Sequence, residues 1–179
     1  MSEKEIYFLR HGESIANIKG VFAGQKENSP LSEEGRNQAK KVARDLIEKN
    51  LKPSKIYVSP LLRTQETLQI IVQEAGLIDT EIIIDERIAE YDMGSLTGTP
   101  IHKITSLELV SAQNAEDPQV FMDRVHNLLE EIYKLKEQVL IISHAGVGRI
   151  IEAKRKSVSA DCFYDLEPFP NAQIIKLDE

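Results

Sequence analysis

Tryptophan is absent from this sequence, and cysteine occurs once, at Cys162. A single thiol excludes an intramolecular disulfide and a cysteine-rich zinc site. Low-complexity tracts and internal repeats are missing, which sets aside solenoids and fibres. Long apolar runs are missing too. The polar Met1-Ser2-Glu3-Lys4-Glu5 leads into an apolar stretch too short for a signal-peptide core or a membrane span. Cytoplasmic residence is the resulting expectation. Positive charge is in deficit, with 22 Lys and Arg against 29 Asp and Glu and a net charge of -7. An acidic chain repels nucleic acid and anionic membrane at long range, so neither is an expected partner. Any anionic ligand must be attracted locally, by a few arginines focused in one pocket.

At 179 residues the chain has the length of one domain, taken here as 1–179. Its pattern alternates strands with helices. Ile6 to Leu9 is a short apolar run ending at Arg10-His11-Gly12. Ser32 is an N-cap, with Glu33 and Glu34 where a helix dipole favours negative charge. Ala39, Val42, Ala43, Leu46 and Ile47 then fall on one helical face. Ile56-Tyr57-Val58 reads as a buried strand, Ser59-Pro60 as the opening of a helix that runs to about Gly76, and Ile82-Ile83-Ile84 as a strand. From Asp85 to Pro118 the pattern is loop-like. Beyond it, Phe121, Val125, Leu128, Ile132 and Leu135 form one helical stripe. The apolar run Val139 to Ile142 leads into Ser143-His144-Ala145-Gly146 and a further helix, with a last strand at Ala172 to Leu177. Such alternation predicts a three-layer α/β/α sandwich around a mostly parallel sheet.

Arg10-His11, Ser59 to Arg63, and His144 each fall at or just past the end of an expected strand. Ligands of open α/β sheets bind outside those ends. Three separate segments therefore deliver Arg, His, Arg and His to one edge. Arginines supply permanently charged forks that match phosphate oxygens. Histidines supply a neutral imidazole nucleophile and a second ring able to donate a hydrogen bond. Gly12 and Gly146, beside the two histidines, would let backbone approach a ligand, and a helix starting near Gly12 would aim N–H groups at an anion. Arginines around a histidine nucleophile suit a phosphoryl group. Acyl transfer would call for a Ser or Cys nucleophile and an oxyanion hole, and Cys162 has no such context.

The segment Phe8-Leu9-Arg10-His11-Gly12-Glu13-Ser14, with Asn17 following, resembles the signature of the histidine phosphatase superfamily, of phosphoglycerate-mutase-like fold (branch 1). Four more blocks resemble that family in its order. They are Pro30-Leu31-Ser32 with Gly35, Gln38 and Ala39; Ser59-Pro60-Leu61 with Arg63-Thr64 and Thr67; Ile88-Ala89-Glu90 with Gly94 and Gly98; and Ser143-His144-Ala145-Gly146. A weaker echo stands at Pro170-Asn171-Ala172.

The resemblance implies that His11 attacks phosphorus and becomes phosphohistidine, while Arg10, Arg63 and His144 hold the equatorial oxygens. It makes Glu90 the acid that protonates the leaving oxygen and the base that then activates water. Asn17, Ala23, Gly24 and Ala145 become contacts to phosphate or leaving group. No metal and no cofactor is implied, because the arginines carry the positive charge. Asp92, Glu13, His102 and His126 receive no part. The chain departs from the family at Leu96-Thr97-Gly98, where many relatives have Trp-Glu before the glycine. It departs also at Ala23, often Ser or Thr, and at Gly24-Gln25, usually Gly-Trp.

Three functions fit these residues. The first is a phosphatase acting on a small phosphorylated metabolite; the second is a mutase moving phosphate between hydroxyls of phosphoglycerate. The third is a non-catalytic phospho-ligand binding protein. Mutases of the family carry a long insertion after the acid loop, with basic residues that grip the substrate carboxylate. Here the cap is short, about 92–118, with Lys103 the sole Lys or Arg between Gly98 and Pro118. A short cap admits water, which favours hydrolysis. Monomer and homodimer are both open.

Overall fold

Strand β1 (Glu5–Arg10) buries Ile6, Tyr7, Phe8 and Leu9 in succession, the pattern of a strand covered on both faces. In the computed structural model, which describes residues 4–177, it lies inside a five-stranded sheet. Met1 to Glu3 of the polar N-terminal stretch, and the last two residues of the 1–179 span, lie outside the described residues. The other strands are β2 (Lys55–Val58), β3 (Glu81–Ile84), β4 (Gln138–Ser143) and β5 (Ile174–Leu177), in the order β3-β2-β4-β1-β5. Neighbours pair in parallel except β5, which runs antiparallel to β1. β5 begins at Ile174, two residues later than expected, because Ala172 turns through φ 52° and donates its N–H to the Arg10 carbonyl.

Alternate residues of the central strands enter different cores. Tyr7, Leu9, Leu140 and Ile142 pack on the side of α2 (Glu33–Glu48) and α3 (Leu62–Ala75). Ile6, Phe8, Val139 and Ile141 face α5 (Pro118–Ile132) and α6 (Ala145–Lys156). The architecture is the α/β/α sandwich expected from the sequence.

Ser32 caps α2 through the Gly35 N–H, and Ala39, Val42, Ala43 and Leu46 are buried as predicted. Ile47 is 57% exposed. At 3.6 residues per turn it stands about 80° around the axis from Ala39, at the margin of the stripe. α3 starts at Leu62 rather than at Ser59-Pro60, since Ser59 is buried against His144 instead of serving as a cap. Asp117 caps α5, and Leu135 lies beyond that helix yet packs on the same core. The loop-like stretch after Asp85 contains three 3₁₀ turns (Glu86–Ile88, Gly94–Leu96 and Ile101–Lys103) and the short helix α4 (Ser106–Val110). A further 3₁₀ segment, Ala160–Asp165, follows α6.

Register sets the site. Arg10 pairs with Ser143 and Val58 with Ile142, so β1, β2 and β4 end level on one edge. His11, Ser59 and His144 are the next residues along each strand. Among the described residues no helix is long and apolar enough to cross a membrane.

Candidate active site

His11 is anchored on both sides. Its N–H donates to the Ser143 carbonyl at 3.0 Å, and the next N–H, of Gly12, donates to Thr67 Oγ1 at 3.1 Å. The ring nitrogen Nδ1 lies 2.7 Å from the Gly12 carbonyl, which can only accept. Nδ1 therefore carries the proton, and Nε2 presents a lone pair. Arg63 Nε–H donates to that Nε2 at 3.2 Å. Burial, then the charges of Arg63 and Arg10, push the His11 pKa well below the usual histidine value, against the pull of the Gly12 carbonyl. The ring is a neutral imidazole.

Gly12 serves a different purpose from the expected one. A Cβ there would collide with the Gly35 carbonyl, and one on Gly35 would collide with the Glu13 carbonyl. The glycines let the loop after β1 lie against the first turn of α2. Ser32 Oγ donates to Glu13 at 2.7 Å across the same junction, while Asp92 pairs with Lys26, so both acids serve local structure. The helix expected near Gly12 is α1 (Ile15–Lys19), a single turn closed by its own capping box. Asn17 Oδ1 accepts the Ser14 N–H within that box and also faces Asn171 Nδ2 at 3.4 Å.

Around His11 stand the cations. Arg10 Nη1 donates to the Phe169 carbonyl at 3.1 Å and Arg63 Nη2 to the Gly24 carbonyl at 3.0 Å. Burial lowers both guanidinium pKa values, that of Arg63 to about 10. His144, fully buried, lies with its ring centre 5.3 Å from that of His11, and its Nε2 is 2.6 Å from Ser59 Oγ. Burial, then Arg63, His11 and Arg10, hold its pKa well below the ordinary value. Three buried nitrogens in this group, Arg10 Nε, Arg63 Nη1 and His144 Nδ1, have no partner among the described residues. A polar atom buried unpaired costs free energy that a bound anion would offset.

Glu90 is 7% exposed and seated on backbone donors. Its Oε1 accepts from Tyr91 N–H at 2.9 Å and Gly146 N–H at 3.1 Å, at the N-terminus of α6. A Cβ on Gly146 would land on that same oxygen, so this glycine makes room for Glu90 rather than for a ligand. The loop carrying Glu90 is braced from behind by Arg124. Its guanidinium donates to the carbonyls of Arg87, Ala89 and Glu90 at 2.7, 2.8 and 3.1 Å, and pairs with Glu116 at 2.7 Å. Ser143 Oγ and Gln25 Nε2 add bonds to the Ile88 and Glu90 carbonyls. Sequence reasoning missed Arg124. The available signal was a charge at 124, three residues from Phe121 and four from Leu128, on the apolar face of α5.

Arg10, His11, Asn17, Ala23, Gly24, Arg63, Glu90 and Ala145 all line one cavity of about 170 Å³, and His144 is buried beside it. The same cavity includes Arg149, Phe163 and Tyr164, which the sequence did not single out. Arg149 faces inward from α6, and the aromatic pair comes from the 3₁₀ segment beyond it, unreadable without the fold. His102 is exposed and His126 half-buried, and neither lines the cavity. Two larger grooves, of about 760 and 710 Å³, contain no residue of this constellation.

A model of the histidine phosphatase superfamily (branch 1) matches residues 6–179. Among curated proteins, the "Probable phosphoglycerate mutase GpmB" of Escherichia coli is 34% identical over 154 residues, 78% of this chain and 69% of that one. Among solved structures, YhfR of Bacillus stearothermophilus superposes with a TM-score of 0.82 at 24% identity, over 97% of this chain and 90% of that chain. The α-ribazole phosphatase of Shigella flexneri superposes with a TM-score of 0.78 at 21% identity, over 97% and 90%. At those identities the two structures speak for the fold alone. With the model covering all but the first five residues, the chain belongs to branch 1 of the histidine phosphatase superfamily, a phosphatase or mutase enzyme family.

Proposed function

We propose that this chain is a phosphatase that hydrolyses a small phosphomonoester through a phosphohistidine on His11. The observation that carries the reading is a neutral, inward-facing His11 Nε2 amid three buried, unpartnered nitrogens. Nε2 attacks phosphorus as the ester P–O bond breaks, and Glu90 gives its proton to the departing alcohol oxygen. Arg10, Arg63 and His144 meet the charge on the equatorial oxygens. Glu90, now a carboxylate, takes a proton from a water whose oxygen attacks the phosphorus of the phosphohistidine. The P–N bond breaks, returning Nε2 and releasing phosphate. Asn17, Ala23, Gly24 and Ala145 form the wall around the phosphate and leaving group.

The same reading takes 1–179 as one domain capped by 92–118, working without metal or cofactor in the cytoplasm as a monomer or homodimer. Hydrolysis is preferred over transfer because the cap is short and its sole Lys or Arg after Gly98, Lys103, is exposed. The mutase-named relative supports phosphoglycerate mutase as the second reading.

The test is turnover of p-nitrophenyl phosphate at mildly acidic pH by wild type and His11→Ala, with and without EDTA. Wild-type turnover that survives EDTA and disappears in the variant is expected. No turnover above background by wild type would favour a binding protein instead. Feeding 3-phosphoglycerate with a bisphosphoglycerate primer separates the two enzymes. Appearance of 2-phosphoglycerate faster than free phosphate would replace the phosphatase by the mutase.

A further inference from the structure

Ser59, the first residue after β2, has no part in the chemistry above, yet its hydroxyl touches one member of the site. Ser59 and His144 are both fully buried, and Ser59 Oγ lies 2.6 Å from His144 Nε2. The backbone around the serine is fixed. Its N–H donates to the Ile142 carbonyl at 3.1 Å, and its carbonyl accepts from Thr64 Oγ1 at 2.8 Å and Gln65 Nε2 at 2.6 Å. The contact to His144 therefore has one geometry and two possible directions.

Burial first, and Arg63 next, keep the His144 ring neutral, so it carries a single proton. Which nitrogen holds that proton follows from the partners of each. With the proton on Nε2, Ser59 Oγ would accept from His144 and, at 3.4 Å, from the Leu61 N–H. The serine's own proton would then have no acceptor among the described residues. Nδ1 would be a bare acceptor, and at the N-cap of α6 such an acceptor is expected to take a backbone N–H. The His144 side chain caps none. Two buried polar groups would go unsatisfied.

With the proton on Nδ1, the Ser59 hydroxyl donates to Nε2, and only the Nδ1–H is left without a partner. Each unsatisfied buried group costs free energy, so one is favoured over two. The length agrees. At 2.6 Å the contact is within reach of an O–H donor and shorter than the usual N–H···O range of about 2.7–3.2 Å.

We infer that Ser59 is a positioning residue: its hydroxyl donates to His144 Nε2 and keeps the ring proton on Nδ1, the nitrogen left to donate to a phosphoryl oxygen. The His144 ring stands edge-on to that of His11, so an anion beside His11 would supply the acceptor that Nδ1–H lacks. The donor role rests on the phosphatase reading; the position of the proton stands without it.

Proton–nitrogen NMR of isotope-labelled protein reads which imidazole nitrogen bears the proton. His144 is identified among the four histidines by the signals lost in His144→Asn. In phosphate-free wild type the proton is expected on Nδ1. In Ser59→Ala, checked for folding by thermal melt, a large share should move to Nε2. Its kcat on p-nitrophenyl phosphate should fall about 10- to 100-fold, less than the loss of about 10²–10³ when an oxyanion donor is deleted outright. Ser59→Thr keeps the hydroxyl and should keep the proton on Nδ1. A loss of packing alone would lower Tm and kcat without moving the proton.

A proton on Nε2 in wild type, or one that stays on Nδ1 in folded Ser59→Ala, would overturn the inference. So would a shifted proton with kcat unchanged. If the alanine variant does not fold, Ser59→Cys, whose thiol is a weak donor, is read in its place. If wild type turns over no ester, the phosphatase reading fails, and inorganic phosphate tests the donor role instead. A downfield shift of the Nδ1–H signal on titration supports it, and no change at saturation overturns it.

Discussion

Replacing Gly146 by alanine should separate the two halves of the proposed reaction. The added methyl falls on Glu90 Oε1 and lies 3.2 Å from Phe121 Cζ, so the carboxylate must leave its seat on the Gly146 N–H. The backbone itself tolerates alanine, because Gly146 is not among the residues with positive φ. Overpacking costs about 1–3 kcal/mol, and the gain in helix propensity offsets up to about 1 kcal/mol of it. At about 2–4 °C per kcal/mol for a chain of this size, Tm should fall by no more than about 12 °C. Catalysis should suffer far more. General acid–base catalysis contributes about 10²–10⁴, and a misplacement of about 1 Å can cost 10²-fold. An alkyl phosphate, whose alcohol needs a proton to leave, should lose about 100-fold in kcat.

p-Nitrophenyl phosphate needs no such proton, so phosphorylation of His11 should survive while hydrolysis of the phosphoenzyme slows. Stopped-flow mixing of Gly146→Ala with this ester should show a burst of about one nitrophenolate per active site, then a slow steady state. Equal losses on both esters without a burst, or wild-type turnover of both in a folded variant, would refute the seating of Glu90 by Gly146.

Inorganic phosphate should raise Tm by engaging Arg10 Nε, Arg63 Nη1 and His144 Nδ1; at 100 times its dissociation constant the gain is about 2.7 kcal/mol, checked by calorimetry with and without phosphate. His11 and His144 have depressed folded pKa values, so their contribution to stability is full above about pH 6.5. As pH falls below that value the unfolded histidines bind protons that the folded ones refuse, and stability drops by up to about 1.4 kcal/mol per unit for each; urea titrations between pH 7.5 and 5 in phosphate-free buffer should show a shallower slope in His144→Asn. Arg124→Met leaves Glu116 unpaired and should cost about 3–5 kcal/mol in urea unfolding, with a larger kcat loss on alkyl than on p-nitrophenyl phosphate as the Glu90 loop loosens.

Much of the framework was legible because local rules govern it. The Ser32 cap and the Ala39-Val42-Ala43-Leu46 stripe act within one helix, and both stand where the pattern put them. The run Val139 to Ile142 could only be a strand buried on both faces. The stretch after Asp85 was illegible because its short turns lack a hydrophobic period, and bonds from the distant Arg124 and Ser143 hold it. The antiparallel sense of β5 is set by pairing with β1 across most of the chain. Local pattern carries no trace of that direction.

His11, Arg10, Arg63, Glu90 and His144 could be named from the sequence, since strand ends fix where such residues go and the family blocks fix their order. Their states came from packing. Burial and neighbouring cations keep the His11 ring neutral, and the Gly12 carbonyl decides which nitrogen carries the lone pair. Gly146 was visible as a glycine, but that it makes room for Glu90 depends on two segments 56 residues apart. Arg149 and Arg124 read in sequence as ordinary helix charges. Only the tertiary structure turns one into the cavity and the other behind the acid loop, because the direction a helical side chain faces has meaning only once the helix has something to pack against.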